Sequence, residues 1–199
     1  MSDYCTLADV KASLRITDDI DNALLEQTID AASRWIDGYC QRSFTVASGT
    51  ATRDYTPSAR YEPLYIDDAS SIISVKIDDD LDYSFATTLQ AGVDYQLEPL
   101  NAIKDGIDWP YYRILPVEDG YWPTWMNRAT VRVEATYGWP AVPDAVKTAC
   151  IFQSARLYTR FSSPAGVVSF GDMGAIRVSR MLDPEVEALL HPYRKHQFF

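Results

Sequence analysis

A chain of 199 residues, 47% hydrophobic and 13% aromatic, holds enough apolar material for one domain, or for one domain with a sizeable insertion. Its net charge of −10 argues against nonspecific coating of DNA, which needs clustered Lys and Arg, and favours a soluble protein or a surface that repels nucleic acid. No basic and apolar leader opens the chain, no apolar run approaches the roughly 20 residues of a membrane helix, and Cys5, Cys40 and Cys150 form no CxxC pair, so we expect no signal peptide, no membrane span, and buried thiols rather than a disulfide framework or a zinc site.

In chain order, Thr6 has the chemistry of an N-cap for a short helix to about Ile16, with Asp9 in its first turn and Leu7, Val10 and Leu14 on one face. Thr17, Asp18 and Asp19 form a break, and either Asp is a candidate cap for the next helix. That helix, about Ile20 to Cys40, repeats Leu25, Ile29, Ala32, Ile36 and Tyr39 on one face and shows Glu26, Asp30, Arg34 and Asp37 on the other. From Phe44 to about Tyr137 the period changes to short β-rich runs between Pro, Gly, Asp and Ser turns. The expected strands are Thr50–Tyr55, Tyr61–Ile66, Ile72–Ile77, Tyr95–Leu97, Tyr112–Leu115 and Thr130–Tyr137.

A turn at Gly138 and Pro140 leads into a long helix, with Pro143 expected at its first position and Asp144 beside its positive end. Val146, Ala149, Cys150, Leu157 and Phe161 predict one broad buried face, and the small Ala149 and Ala155 admit a close neighbour. The partner is expected to be the Asp18–Cys40 helix, with the β-rich segment inserted between the two. The fold class is therefore α+β: a small helical bundle formed by residues 1–43 and 138–199, interrupted by a sandwich- or barrel-like insertion over 44–137. After Phe161, the stretch Ser162–Met181 is Gly-rich and a poor helix, and connections that long are usually functional or disordered. Asp183 then caps a short helix that begins at Pro184, buries Val186, Leu189 and Leu190, and stops at Pro192.

Few residues are candidates for chemistry. Asp78, Asp79, Asp80 and Asp82 resemble the start of a calcium loop, but Tyr83 stands where Gly is needed and Leu89 where Glu is needed, so a solvated hairpin turn is expected. Trp109, Tyr111, Tyr112, Tyr121, Trp122 and Trp125 either fill the insertion's core or form an exposed stacking platform for a glycan or a protein. His191 and His196 have no metal-ligand spacing, and GxSxG, Walker and GxGxxG motifs are absent. No enzyme mechanism, metal or cofactor is expected. The tail Tyr193–Phe199 is basic and aromatic, of the residue types that dominate binding hot spots, and is read as an anchor rather than a frayed end.

Three stretches together resemble the head–tail connector, or adaptor, proteins of tailed bacteriophages. The first is Asp18–Phe44, with Asp18-Asp19 before Ala23-Leu24-Leu25, and Ala31-Ala32 followed by Ile36 and Tyr39. The second is Tyr137–Tyr158, with its Tyr-Gly turn, its Val142-Pro143-x-Ala145-Val146-Lys147-x-Ala149 helix start and Leu157-Tyr158. The third is Leu182–Arg194. The resemblance implies a virion protein at the head–tail interface, assembled in the bacterial host cytoplasm. It implies a ring of about twelve subunits under the portal protein. That ring prolongs the DNA channel, passes DNA without sequence-specific binding and offers a platform to a tail-side stopper or terminator. It also implies a C-terminal grip on the portal, here His191, Tyr193, Arg194, Lys195, Phe198 and Phe199. Gly166, Gly171, Asp172, Gly174, Arg177 and Arg180 are candidates for a channel or inter-subunit loop. The alternatives are a tail-completion or neck protein on the tail side, and a carbohydrate-binding module built on Trp109, Trp122 and Trp125.

Overall fold

The computed structural model describes residues 3–101, 103–104, 107–125, 128–162, 167–169, 175–177 and 183–195. The chain divides into two units: Met1–Phe44 with Val142–Phe199, and Thr45–Ala141.

The first unit is helical. Helix α1, Leu7–Leu14, opens with a capping box: the Thr6 hydroxyl accepts the Asp9 amide, and the Asp9 carboxylate accepts the Thr6 amide at 3.0 Å. Arg15, left-handed at φ 58°, ends it two residues before the expected stop at Ile16. Helix α2 is Asn22–Cys40, and neither Asp18 nor Asp19 caps it, contrary to expectation. Asp18 accepts the Ile20 amide. Asp19 accepts the Lys11 ammonium at 2.8 Å and the Asn22 side chain at 3.1 Å, so the acidic pair ties α1 to the start of α2 instead.

The Asp9 carboxyl is held down at about 2, first by the Thr6 hydrogen bonds and then by Lys147 at 3.1 Å. A depressed carboxylate stabilises the fold above its unfolded pKa and loses that contribution as pH falls through the folded value. Asp9→Ala should therefore cost about 1 kcal/mol at pH 7, and the gap to wild type should close between about pH 4 and pH 2. Chemical denaturation of both proteins across that range checks it; a gap that stays constant would show that the cap's charge contributes nothing.

Helix α3, Asp144–Ser162, packs on α2. The Pro143 carbonyl accepts the Lys147 amide, so Asp144 takes the first helical position that the sequence assigned to Pro143. Val146, Ala149, Cys150 and Ser154 are buried against Leu25, Ile29, Ala32, Ser33 and Ile36 of the same unit's core. The buried face is shorter than predicted: Leu157 is half-buried and Phe161 is 59% exposed. Tyr158 donates to Asp21, the residue preceding α2, at 2.6 Å, so the last turn of α3 runs past the end of its partner.

Short strands β9 (Val167–Ser169) and β10 (Ala175–Arg177) pair antiparallel within the stretch that composition marked as a long, Gly-rich connection and a poor helix. Helix α4, Pro184–Leu190, is capped by Asp183, whose carboxylate accepts the Glu185 amide at 3.0 Å. A 3₁₀ turn, His191–Tyr193, follows. Among the described residues, no helix is long and apolar enough to cross a membrane.

The second unit is an open, six-stranded antiparallel sheet rather than a closed barrel. Its strands are β1 (Ala51–Tyr55), β2 (Leu64–Ile77), β3 (Thr87–Leu89), β4 (Tyr95–Glu98), β7 (Tyr111–Pro116) and β8 (Val131–Tyr137), ordered β1-β8-β2-β7-β4 with β3 on β2. The short strands β5 (Ile103–Lys104) and β6 (Ile107–Asp108) pair only with each other. Two predicted strands, Tyr61–Ile66 and Ile72–Ile77, are one strand, β2. The residues between them look like a turn but are bonded within the sheet: Asp67 to Arg53, Asp68 to the Trp139 indole at 3.1 Å, and Ser70 to the Thr136 carbonyl at 3.0 Å. The ladder shifts register here, and β2 passes from β7 on one edge to β8 on the other. Gly138 is required at the end of β8. It sits at φ +121°, and an added Cβ would lie 2.7 Å from the Thr45 carbonyl.

One face of the sheet buries Leu64, Ile66, Val75, Ile77, Ile114, Val131 and Val133, and the loop bearing Trp122 folds over them. Trp122 is fully buried and donates from Nε1 to the Glu62 carbonyl at 2.9 Å. Trp109 is buried beside Trp139, with ring centroids 5.2 Å apart. Only Trp125 of the three proposed stacking tryptophans is exposed, at 54%. The glycan platform therefore does not exist as a surface; two of its rings serve the core.

The Asp78–Asp82 turn is also more than a solvated hairpin. Asp78 is fully buried, accepts the Tyr83 amide, and pairs with Arg128 at 3.3 Å. The Arg128 guanidinium also lies 3.5 Å over the Tyr83 ring. Asp78, Asp80 and Asp82 bring carboxylate oxygens within 4.8 Å of one another, but Arg128 already supplies a counter-charge to the buried member.

Candidate docking segment at the C-terminus

The segment is built from α4 outward. Val186 and Leu190 bury one face of α4. Proline at 192 directs the chain into the 3₁₀ turn, and Tyr193 follows as a buried residue. Its ring meets Phe44 edge-on at 5.9 Å, and Phe44 meets Tyr4 edge-on at 5.7 Å. Three aromatic rings from the N-terminal segment, the end of the α2 region and the C-terminal tail thus share one cluster. The Tyr4 hydroxyl donates to Asp37 and accepts the Phe44 amide at 2.9 Å. Burial first, and then the Asp37 carboxylate, push that phenol up to about 12.

The next two residues satisfy the end of α2. The Lys195 amide donates to the Cys40 carbonyl at 2.8 Å, one of the acceptors a helix leaves open at its C-terminus. No basic residue lies in the last turn of α2 itself. Arg194, over the Tyr39 ring at 5.6 Å, and Lys195 bring positive charge to that negative helix end from the tail. Tyr39 also reaches Glu187 of α4 at 3.3 Å, and burial, followed by that carboxylate, raises its pKa.

Of the candidate portal-binding residues, then, His191 and Arg194 are exposed, Lys195 is half-buried, and Tyr193 is an internal packing residue that fixes where the tail departs. Phe198 and Phe199 lie outside the described residues. So do Gly166, Gly171, Asp172, Gly174 and Arg180 of the candidate channel loop; Arg177 closes β10, paired with Val167. Sequence reasoning missed Phe44 and Tyr4. Both fall outside the helical repeats, and only their aromatic character next to a helix end marked them.

Charge is divided unevenly along the chain. Residues 45–141 carry 15 Asp and Glu against 7 Lys and Arg, a net −8, whereas residues 1–44 with 142–199 carry 13 against 11, a net −2. Within the latter, residues 145–181 hold five basic residues and one acidic, a net +4.

A model of the family described as phage gp6-like head-tail connector proteins matches residues 4–62, which span α1, α2 and the entry to the sheet. The chain is similar in fold to a chain from the neck of an empty GTA particle computed with C6 symmetry. The two are 16% identical, the match covers 98% of this chain and 92% of that one, and the TM-score is 0.56. It is likewise similar to a chain from the virion of a native gene transfer agent particle, at 16% identity, 98% and 92% coverage and a TM-score of 0.53. No curated protein sequence matches. The matched helices are those that carry the Asp18–Phe44 motif, and the fold likeness extends over residues of both units.

Proposed function

We propose that this chain is the head-to-tail adaptor of a tailed, phage-like particle. It is a structural protein of the virion neck, not an enzyme. About twelve copies stand as a ring under the portal protein, prolong the DNA channel, and present a platform to a tail-side stopper or terminator. The single observation that supports this reading most is the likeness of the whole chain, insertion included, to a neck protein of a gene transfer agent particle, joined to the connector-family match over residues 4–62.

The charge division fits the role. A β unit at −8 would repel passing DNA, and Arg177 and Arg180, the two basic residues of the 162–181 stretch, are our candidates for a phosphate contact. Photo-crosslinkers placed at those two positions should label DNA in filled particles; labelling of protein alone would move the hairpin to a subunit contact.

The portal grip lies in residues 191–199, within which Tyr193 packs into the chain's own core and holds the segment in place. Because Tyr193 is part of the core, the informative truncation ends at Lys195. Removing 196–199 should leave the melting temperature unchanged and weaken portal binding at least tenfold. The first experiment is native mass measurement of the chain alone and with portal rings. A subunit that joins portal rings in ring-sized complexes supports the adaptor. A subunit that ignores portal and co-purifies with tail tube would replace it with the tail-completion reading.

A further inference from the structure

We propose that Cys5 and Cys150 are a disulfide-forming pair that closes after the protein leaves a reducing compartment. Their Sγ atoms lie 3.3 Å apart although the residues are separated by 145 positions, so the fold has already carried out the search that a disulfide requires. Both thiols are buried in the helical unit. Each is held from the backbone side. Cys150 is in the second turn of α3. Cys5 follows Tyr4, whose amide donates to the Ser33 hydroxyl at 3.2 Å and whose own hydroxyl is tied to Asp37 and Phe44. Ser33 also lies 3.5 Å from the Cys150 sulfur.

The chemistry of the pair is directional. The Cys150 thiol is lowered, first by the hydrogen bond from Cys5 and then, against the effect of burial, by the hydroxyls of Ser33 and Ser154. The Cys5 thiol is raised by the same bond and by burial. The third cysteine, Cys40, is pushed up to about 12 by burial and stays a thiol. Cys150, whose sulfur has the Ser33 and Ser154 hydroxyls beside it at 3.5 and 4.0 Å to stabilise a thiolate, is the nucleophile we assign. It attacks one sulfur of a low-molecular-weight disulfide and releases one small thiol. Cys5, giving up its proton, then attacks the Cys150 sulfur of the mixed disulfide and releases the second. Two protein thiols become one protein disulfide, and the small disulfide becomes two thiols. Burial makes the reaction wait on an opening of the Asp3–Cys5 segment, so it is slow, and its product ties that segment covalently to α3.

The timing, though not the bond, rests on the adaptor reading: a neck protein is assembled in a reducing host cytoplasm and works in a particle outside it. The test uses the full chain carrying Cys40→Ser, purified reduced and incubated with oxidised glutathione at pH 8. Alkylation after denaturation should find both remaining thiols gone. Peptide mapping should find Cys5 joined to Cys150 within one chain, and the melting temperature should rise by roughly 5–10 °C and return on reduction. Two free thiols after prolonged incubation, or a link between chains, overturns the pair whatever the particle shows. The same alkylation on purified particles then tests the timing alone. A closed bond supports it, and free thiols in particles, with closure in the isolated chain, overturn the timing and leave the pair standing.

Discussion

Trp122→Ala is expected to destabilise the β unit by about 3–5 kcal/mol, the range for deleting a large buried aromatic. The indole is fully buried in one core cluster with Leu64, Ile66, Val131 and Val133. It also secures its own loop: the Trp122 amide donates to the Arg60 carbonyl and its Nε1 to Glu62, both at 2.9 Å. Truncation therefore opens a cavity and frees the loop together. Trp122→Phe separates the two contributions, since it keeps most of the volume and leaves the Glu62 carbonyl without its indole donor; its cost should be about 1–2 kcal/mol. Hydrogen exchange at β2 and β8 reads the unit directly. Protection that drops in α2 and α3 but not in these strands would refute the placement of Trp122 at the sheet's core.

How far these features were legible in the sequence follows from how local their causes are. The α1 cap needed only Thr6 and Asp9, three residues apart, and could be read at sight. Helix α2 showed its buried stripe plainly, because Leu25, Ile29, Ala32 and Ile36 all face one partner. Strand β2 was divided in two because Asp67, Asp68, Ser70 and Ser71 have turn chemistry. Their bonds to Arg53, Trp139 and Thr136 come from residues far along the chain and leave no mark on the local pattern. The end of α3 was misjudged for a related reason: Phe161 keeps the helical spacing, but the neighbouring helix begins at Asn22 and does not reach it. In the tail, composition identified Tyr193 and Arg194 as interaction residues. It could not say that Tyr193 meets Phe44 of its own chain while Arg194 stays exposed.

The division of charge bears on how such a protein assembles. Rings are closed by contacts that use two different surfaces of each subunit. Residues 1–44 carry a net −4 and residues 142–199 a net +2, so copies meeting head to tail through these two parts attract, whereas two β units at −8 each repel. Raising ionic strength weakens both effects. Under the adaptor reading, this division of charge is the reason to expect ring contacts in the helical unit rather than between insertions.

Phe44→Ala should have the largest effect in the helical unit, again about 3–5 kcal/mol. Phe44 is the last residue of that unit's first segment and is fully buried. Its ring stands between Tyr4 and Tyr193, so its loss loosens the N-terminal segment and the C-terminal tail at once. The tail effect has a specific readout. Arg194 and Lys195 are trypsin sites, and the Lys195 amide is bonded to the Cys40 carbonyl in the native chain. Cleavage there should be slow in wild type and fast in Phe44→Ala, under conditions where α2 and α3 remain folded. Combining Phe44→Leu with Tyr193→Leu isolates the ring–ring contribution, and a coupling of about 0.5–1.5 kcal/mol is expected. If the two substitutions add without coupling and trypsin cuts at the wild-type rate, Tyr193 does not fix the tail through Phe44. The exit point of the candidate portal-binding residues would then have to be set by other contacts, the Lys195–Cys40 bond among them.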